Sequence, residues 1–264
     1  MSASSPRALV RVDARDSGRV AHVTIDNPAR VNTLSSAVME DFLGAIARLA
    51  ADDAVRVVVV TGAGNRAFVG GADIDEMAQL NAAAARAFIT RVHRCCHAVR
   101  ELPVPVIARI EGYALGAGLE LAAACDLRVA AETARFGMPE VKLGMPSVVE
   151  AALLPTLVGW GRAREILLLG EIFSARDAAA WGLVERVVPA ASLDEAVARL
   201  VSSVLAAEPR AVRLQKRLIR AWEDLPLAAA VGAGIDAFAA AFESDEPARA
   251  IAAFRARRKP PGAG

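Results

Sequence analysis

The chain has 264 residues, of which 55% are apolar, 23% charged and 5% aromatic, with a formal net charge of +1. That length supports one large domain, or one domain with an added region, around a substantial core. Charge this close to balance gives no electrostatic case for a nucleic-acid or membrane-surface partner.

The opening stretch "MSASSPRALVRVDARDSG" has no apolar h-region, so no secretory signal is read there. No apolar run reaches the length of a membrane span, because Asp236 interrupts the longest candidate, "LAAAVGAGIDAFAAAF". Three cysteines, two of them adjacent, make no disulfide framework. These features point to a reducing, cytoplasmic compartment.

"RVAHVTID" (19–26) alternates as a strand does and stops at the turn "NPAR". "SSAVMEDFLGAIARLAAD" (35–52) places Val38, Phe42, Ile46 and Leu49 at helical spacing, with Ser35 or Ser36 as N-cap. "VRVVVVTG" (55–62) is a continuous apolar run ending in glycine, which suits a strand buried on both faces. A helix over 81–100, a strand "PVIARIEG" (105–112), a turn plus helix, and a strand "DLRVAAE" (126–132) follow. Such alternation predicts an α/β fold. From about 192 every segment reads as helix, so the expected division is a core over 1–191 and a helical region over 192–264.

Two patterns are set aside. "TGAGNRA" has the glycine outline of a dinucleotide fingerprint, but "FVGGADIDEM" follows where an amphipathic helix is needed. His93 and His97 in "HRCCH" have zinc-compatible i, i+4 spacing. Arg94 stands where the metalloprotease pattern needs a glutamate, so both histidines are read as helix side chains and no metal is expected.

Glu120 is harder to dismiss. In "GYALGAGLELAAACDLRVA" every residue from Ala114 to Cys125 except Glu120 is apolar or glycine, and glutamate is rarely buried without a partner. The "LGAG" approach lets the backbone turn sharply and aims amides outward, so a helix starting near Ala117 would present N–H groups to a developing oxyanion. "AFVGGADIDEM" has the same look: Asp73 and Glu76 suit a capping box, with amides near Ala72 left free. A second acid, Glu140, sits in "FGMPEVKLGMP". Two carboxylates and two amide sites suit chemistry beside a carbonyl.

"IEGYALGAGLELAAACDLRVAAETARFGMPEVKLG" resembles the signature region of the enoyl-CoA hydratase/isomerase (crotonase) superfamily. "NPARVNTLSS", "TGAGNRAFVGGADIDEM", "GEIFSARDAAAWGLVERVVP" and "FRARRKP" resemble its other blocks in the same order, so the likeness covers nearly the whole chain. It implies a spiral of repeated ββα units, C-terminal helices that assemble a trimer or hexamer, an acyl-CoA thioester substrate, and no metal or separate cofactor. It also implies amides of Ala72 and Ala117 as the oxyanion hole, and Glu120 and Glu140 as the acid–base pair around one water. Arg30, Val31, Gly71, Asp73, Ile74, Gly116 and Ser147 would border substrate, and Arg257, Arg258 or Lys259 would offer charge to phosphate. The implied activity is enoyl-CoA hydration. The alternatives are another crotonase-type enzyme, such as an isomerase or hydrolase, or a non-catalytic acyl-CoA-binding relative.

Two departures stand out against that pattern. Ala117 occupies the middle of the glycine cluster, and Ser147 and Val148 replace glycines in "GMPSVVEAALLP", where Glu150 adds a third carboxylate. An altered acyl pocket is expected.

Overall fold

The computed structural model describes residues 7–258, so Lys259 lies outside the described residues. Two antiparallel strands, Arg7–Arg15 (β1) and Gly18–Asp26 (β2), open it. Helix Ser36–Ala50 (α1) begins where Ser35 Oγ accepts from the Val38 amide, and buries Val38, Phe42, Ile46 and Leu49. It leads into Val55–Gly62 (β3), which is buried along nearly its whole length, as its apolar run predicts.

From β3 one unit repeats. The first turn adds Ala67–Val69 (β4), Ile74–Met77 (α2) and Ala82–Glu101 (α3). The second is Val106–Ile110 (β5), Tyr113–Leu115 (β6) and Ala117–Ala124 (α4). The third is Leu127–Ala131 (β7) and Arg135–Gly137 (β8). Two 3₁₀ turns, Pro139–Leu143 and Val149–Leu153, then run into helix Leu154–Leu169 (α5). Ile172–Ser174 (β9), Ala175–Ala180 (α6), Arg186–Val188 (β10) and Leu193–Leu205 (α7) follow.

The strands make two sheets. The larger has the order β1-β2-β3-β5-β7-β10 and the smaller β4-β6-β8-β9. Pairing is parallel except between β1 and β2 and between β8 and β9. Each turn therefore gives one strand to each sheet before its helical segment, which is the ββα spiral that the resemblance implies. The smaller sheet is absent from the sequence reading because strands of three residues show no period.

Helix α4 is buried over all eight of its residues. Gly118 is what lets it lie against β4: a Cβ there would collide with the Val69 carbonyl. At the far end Arg128, itself buried, donates to the Cys125 carbonyl at 2.7 Å and to those of Ala122 and Ala123 at 3.3 and 3.4 Å. The Ala122 carbonyl also accepts from the Cys125 amide at 3.2 Å, and the guanidinium supplements this cap at a buried helix terminus. Glu185 completes the site by pairing with Arg128.

Two compact units divide the chain, Met1–Val201 and Ser202–Gly264. Helix α7 buries Leu193, Ala196 and Val197 and falls mostly in the first unit. The second contains Pro209–Asp224 (α8), Leu227–Ala241 (α9) and Glu246–Arg258 (α10). Trp222 Nε1 donates to the Ala230 carbonyl at 2.9 Å, tying α8 to α9. No residue of α9 is buried, and Leu227, Val231, Ile235, Phe238 and Phe242 form an exposed apolar stripe at helical spacing. Among the described residues no single helix is long and apolar enough to cross a membrane.

Gly118→Ala should lower stability by about 1–3 kcal/mol, the usual cost of overpacking, by levering α4 off β4. Urea unfolding checks this, and a wild-type midpoint would show that the helix–strand contact is slack.

Candidate active site

Parallel pairing of β4 with β6 sets Ala67 opposite Tyr113 and Val69 opposite Ala114. Three residues beyond that last pair stand Ala72 and Ala117, and both line one cavity. Leu34 donates to the Gly71 carbonyl at 2.8 Å and accepts from the Asp73 amide at 3.0 Å, forming a parallel bridge at Ala72. In such a bridge the middle residue's own N–H points away from the partner strand, and Ala72 also lines the cavity. Gly116, with φ +51°, turns the chain into α4. Its carbonyl accepts from the Glu120 amide at 3.0 Å, and Ala117 is the first helical residue, whose N–H has no acceptor within the helix.

Both glutamates converge on this terminus. Glu120 lies in the first turn of α4 and is 4% exposed. Ala151 N–H, whose shorter bond is to the Val148 carbonyl at 2.9 Å, also reaches Glu120 Oε1 at 3.3 Å, and the Val148 amide reaches the same carboxyl group. Burial, and then the negative Glu140, push the Glu120 carboxyl up to about 8 against the two amides. Half-buried Glu140, on the first 3₁₀ turn, lies so close to Gly116 that a Cβ there would strike its Oε1. Ser147 Oγ donates to Glu140 Oε2 at 2.7 Å. One buried, protonated carboxyl thus faces a cavity beside a second carboxylate held as an acceptor.

The cavity has a volume of about 600 Å³ and is bordered by Gly71, Ala72, Gly116, Ala117, Glu120 and Glu140. Its remaining wall is mostly apolar, with Leu80, Ala85, Phe88, Ile89, Leu143 and Val148 among its members. Ile74 lines it too, and also a smaller cavity of about 350 Å³ that includes Arg30 and Asp73. The expected residues therefore fall into groups. Ser147 reaches the site through Glu140, and Val31 supports it through backbone, its carbonyl accepting from Gly70 at 2.8 Å. Arg30 is bound to Asp73 at 3.0 Å and Asp75 at 2.7 Å. Arg257 is exposed on α10.

The expected capping box at Asp73 is half formed. Asp73 accepts from the Asp75 and Glu76 amides, but Glu76 turns away and accepts from the Ser36 amide at 2.8 Å. The longer reach lets Glu76 tie α2 to the start of α1 instead of closing its own turn.

Sequence reasoning missed three contributors. The cavity face of α3 carries Ala82, Ala85, Arg86 and Ile89, an i, i+3, i+4, i+7 pattern that could have been read as a lining. His93 Nδ1 lies 2.8 Å from Glu150 Oε1. No cluster of metal-ligating side chains occurs among the described residues. Val149 has φ 39°, a left-handed conformation that costs a β-branched residue of order 1–3 kcal/mol.

A model of the enoyl-CoA hydratase/isomerase family matches residues 15–263. The chain belongs to that family. It is an enzyme of crotonase fold, and its relatives span the same length. The short-chain-enoyl-CoA hydratase of Clostridium acetobutylicum is 35% identical over 243 residues, 92% of this chain and 93% of that protein. The crotonyl-CoA hydratase of Syntrophomonas wolfei is 34% identical over 91% of this chain and 93% of its own. The crystal structure of enoyl-CoA hydratase from Bacillus anthracis superposes with a TM-score of 0.89 at 33% identity, covering 95% of this chain and 97% of that one.

The Glu120 shift has a consequence for stability. Its carboxyl titrates at its ordinary 4.5 when unfolded and at about 8 when folded. Between those values the folded state holds a proton that the unfolded state has lost, so stability falls as pH rises through this window. Glu120→Gln removes the titration. Its unfolding free energy should gain on wild type from pH 5 to 8, at a limiting slope of about 1.4 kcal/mol per pH unit. Parallel pH curves for the two proteins would refute the raised carboxyl.

Proposed function

We propose that the chain is an enoyl-CoA hydratase, adding water reversibly across the 2,3 double bond of an enoyl-CoA thioester. The observation that carries this reading is the convergence of Glu120 and Glu140 on one helix N-terminus, beside the paired turns of Ala72 and Ala117. In this reading the thioester oxygen accepts from the Ala72 and Ala117 amides. Negative charge can then develop at the α-carbon, and each such donor is typically worth ~10²–10³ in rate.

Water sits between the carboxyl groups. Its oxygen bonds to the β-carbon, one of its protons passes to the carboxylate acceptor, and a carboxyl proton passes to the α-carbon. Atoms and charge balance with water as the sole co-reactant, so coenzyme A enters only as part of the substrate. The apolar wall from α3 and Leu143 supports a hydrocarbon acyl chain, and the cavity volume is in the range of small-molecule sites. The smaller cavity at Arg30, Asp73 and Ile74 is the proposed edge for the coenzyme. Arg30 would offer its polar face there while remaining paired to Asp73 and Asp75.

Assembly as a homotrimer or homohexamer is part of the proposal. Its support is the α9 stripe, where Leu227 is 81% and Phe238 71% exposed. A cytoplasmic location is supported by Cys95 and Cys96, adjacent buried free thiols.

Glu120→Gln and Glu140→Gln should each lower kcat for crotonyl-CoA hydration by about 10²-fold or more, the range for lost acid–base catalysis. Because both act on one water, the double variant should be only slightly worse than the poorer single one. Fully multiplicative losses would separate the glutamates into different steps. A normal rate in Glu140→Gln would favour one-acid isomerase chemistry. Light scattering should find three or six chains per particle at micromolar concentration, and a monomer there would overturn the assembly.

A further inference from the structure

Glu150 belongs to none of the roles above, and it does not line the cavity. It is 4% exposed, and its Oε2 has no hydrogen-bond partner among the described residues. A buried carboxylate with an orphan oxygen is costly and calls for a reason. Among the described residues the partner of its Oε1 is His93, half-exposed on α3, whose Nδ1–H can donate across 2.8 Å. On its N-terminal side stands Val149 with φ 39°, and on its C-terminal side Ala151, whose amide holds Glu120. The 3₁₀ turn carrying all three packs against both α3 and α4.

A branched side chain held in the left-handed region returns to ordinary backbone unless its surroundings over-determine it. Here the fixing points are the contact of Glu150 with His93 on one helix and that of Ala151 with Glu120 on another. We propose that the His93–Glu150 pair is a positioning clamp for the reaction: it holds the strained Val149 turn so that the Val148 and Ala151 amides grip Glu120. Glu150 touches no reacting atom and acts through this backbone. The inference rests on the proposed role of Glu120, but its geometry can be read without turnover.

Glu150→Gln keeps the shape and an acceptor for His93, whereas Glu150→Ala removes the clamp. With crotonyl-CoA, Glu150→Ala should lower kcat about tenfold or more with KM within about twofold, the signature of a misplaced catalytic group. Glu150→Gln should stay within about threefold of wild type. Hydrogen–deuterium exchange across 147–152 should speed about tenfold in the alanine variant and remain near wild type in the glutamine one.

Val149→Gly relieves the backbone strain, so in that background Glu150→Ala should cost little in either readout. That pair of variants also serves if Glu150→Ala alone does not fold. Equal losses in the glutamine and alanine variants would assign the role to charge and overturn positioning. Full loss persisting beside Val149→Gly would overturn the strain argument, and unchanged exchange and kcat in Glu150→Ala would remove the clamp. A wild-type protein that hydrates no enoyl thioester would sink the hydratase reading, while exchange would still decide the clamp.

Discussion

A pair of three-residue strands governs the geometry of this site. β4 and β6 are too short to contribute much as a ladder, yet their parallel register sends two turns off in the same direction from adjacent positions. The first turn is fixed by Leu34, which engages the residues on either side of Ala72, itself on the cavity wall. The second is fixed by Gly116 and by the closeness of Gly118 to the Val69 carbonyl. Slippage of this ladder by one residue would turn each amide to the opposite side of its strand. The larger sheet and its helices supply the burial that keeps so short a ladder in register.

The same helix organises the electrostatics. At its C-terminal end Arg128 takes up three carbonyls, and at its N-terminal end two carboxyl groups approach. Burial of Glu120 opposes ionisation, and the Glu140 charge opposes it further, so at neutral pH the carboxyl keeps its proton. A site that delivers a proton and accepts one needs its two acids in different states. The two acids here differ in depth: Glu120 is in the first turn of a fully buried helix, and Glu140 is half-buried with a serine hydroxyl on it.

The long elements were legible in the sequence. β3 follows its apolar run, α1 its helical spacing and its Ser35 cap, and α4 begins at Ala117 as the small residues suggest. Glu120 announced itself as a lone acid in an apolar segment. What stayed hidden depends on contacts between distant residues. The smaller sheet has no periodicity to read. Glu76 fits a local capping box by spacing, but a residue forty positions away offers it an amide. The spacing of "HRCCH" pairs His93 with His97, and nothing in it shows that Glu150 comes within hydrogen-bond reach.

The turn after Glu140 holds a valine in a backbone shape for which glycine is best suited. Glycine adopts positive φ without a Cβ penalty and therefore needs no external hold. A valine at the same conformation needs one, and the side chain beside it provides one by burying a carboxylate against a histidine. In exchange the Val148 side chain adds to the cavity wall and narrows the space beside Glu120 with branched apolar surface. Shape control of the acyl end and support of the acid then become one feature.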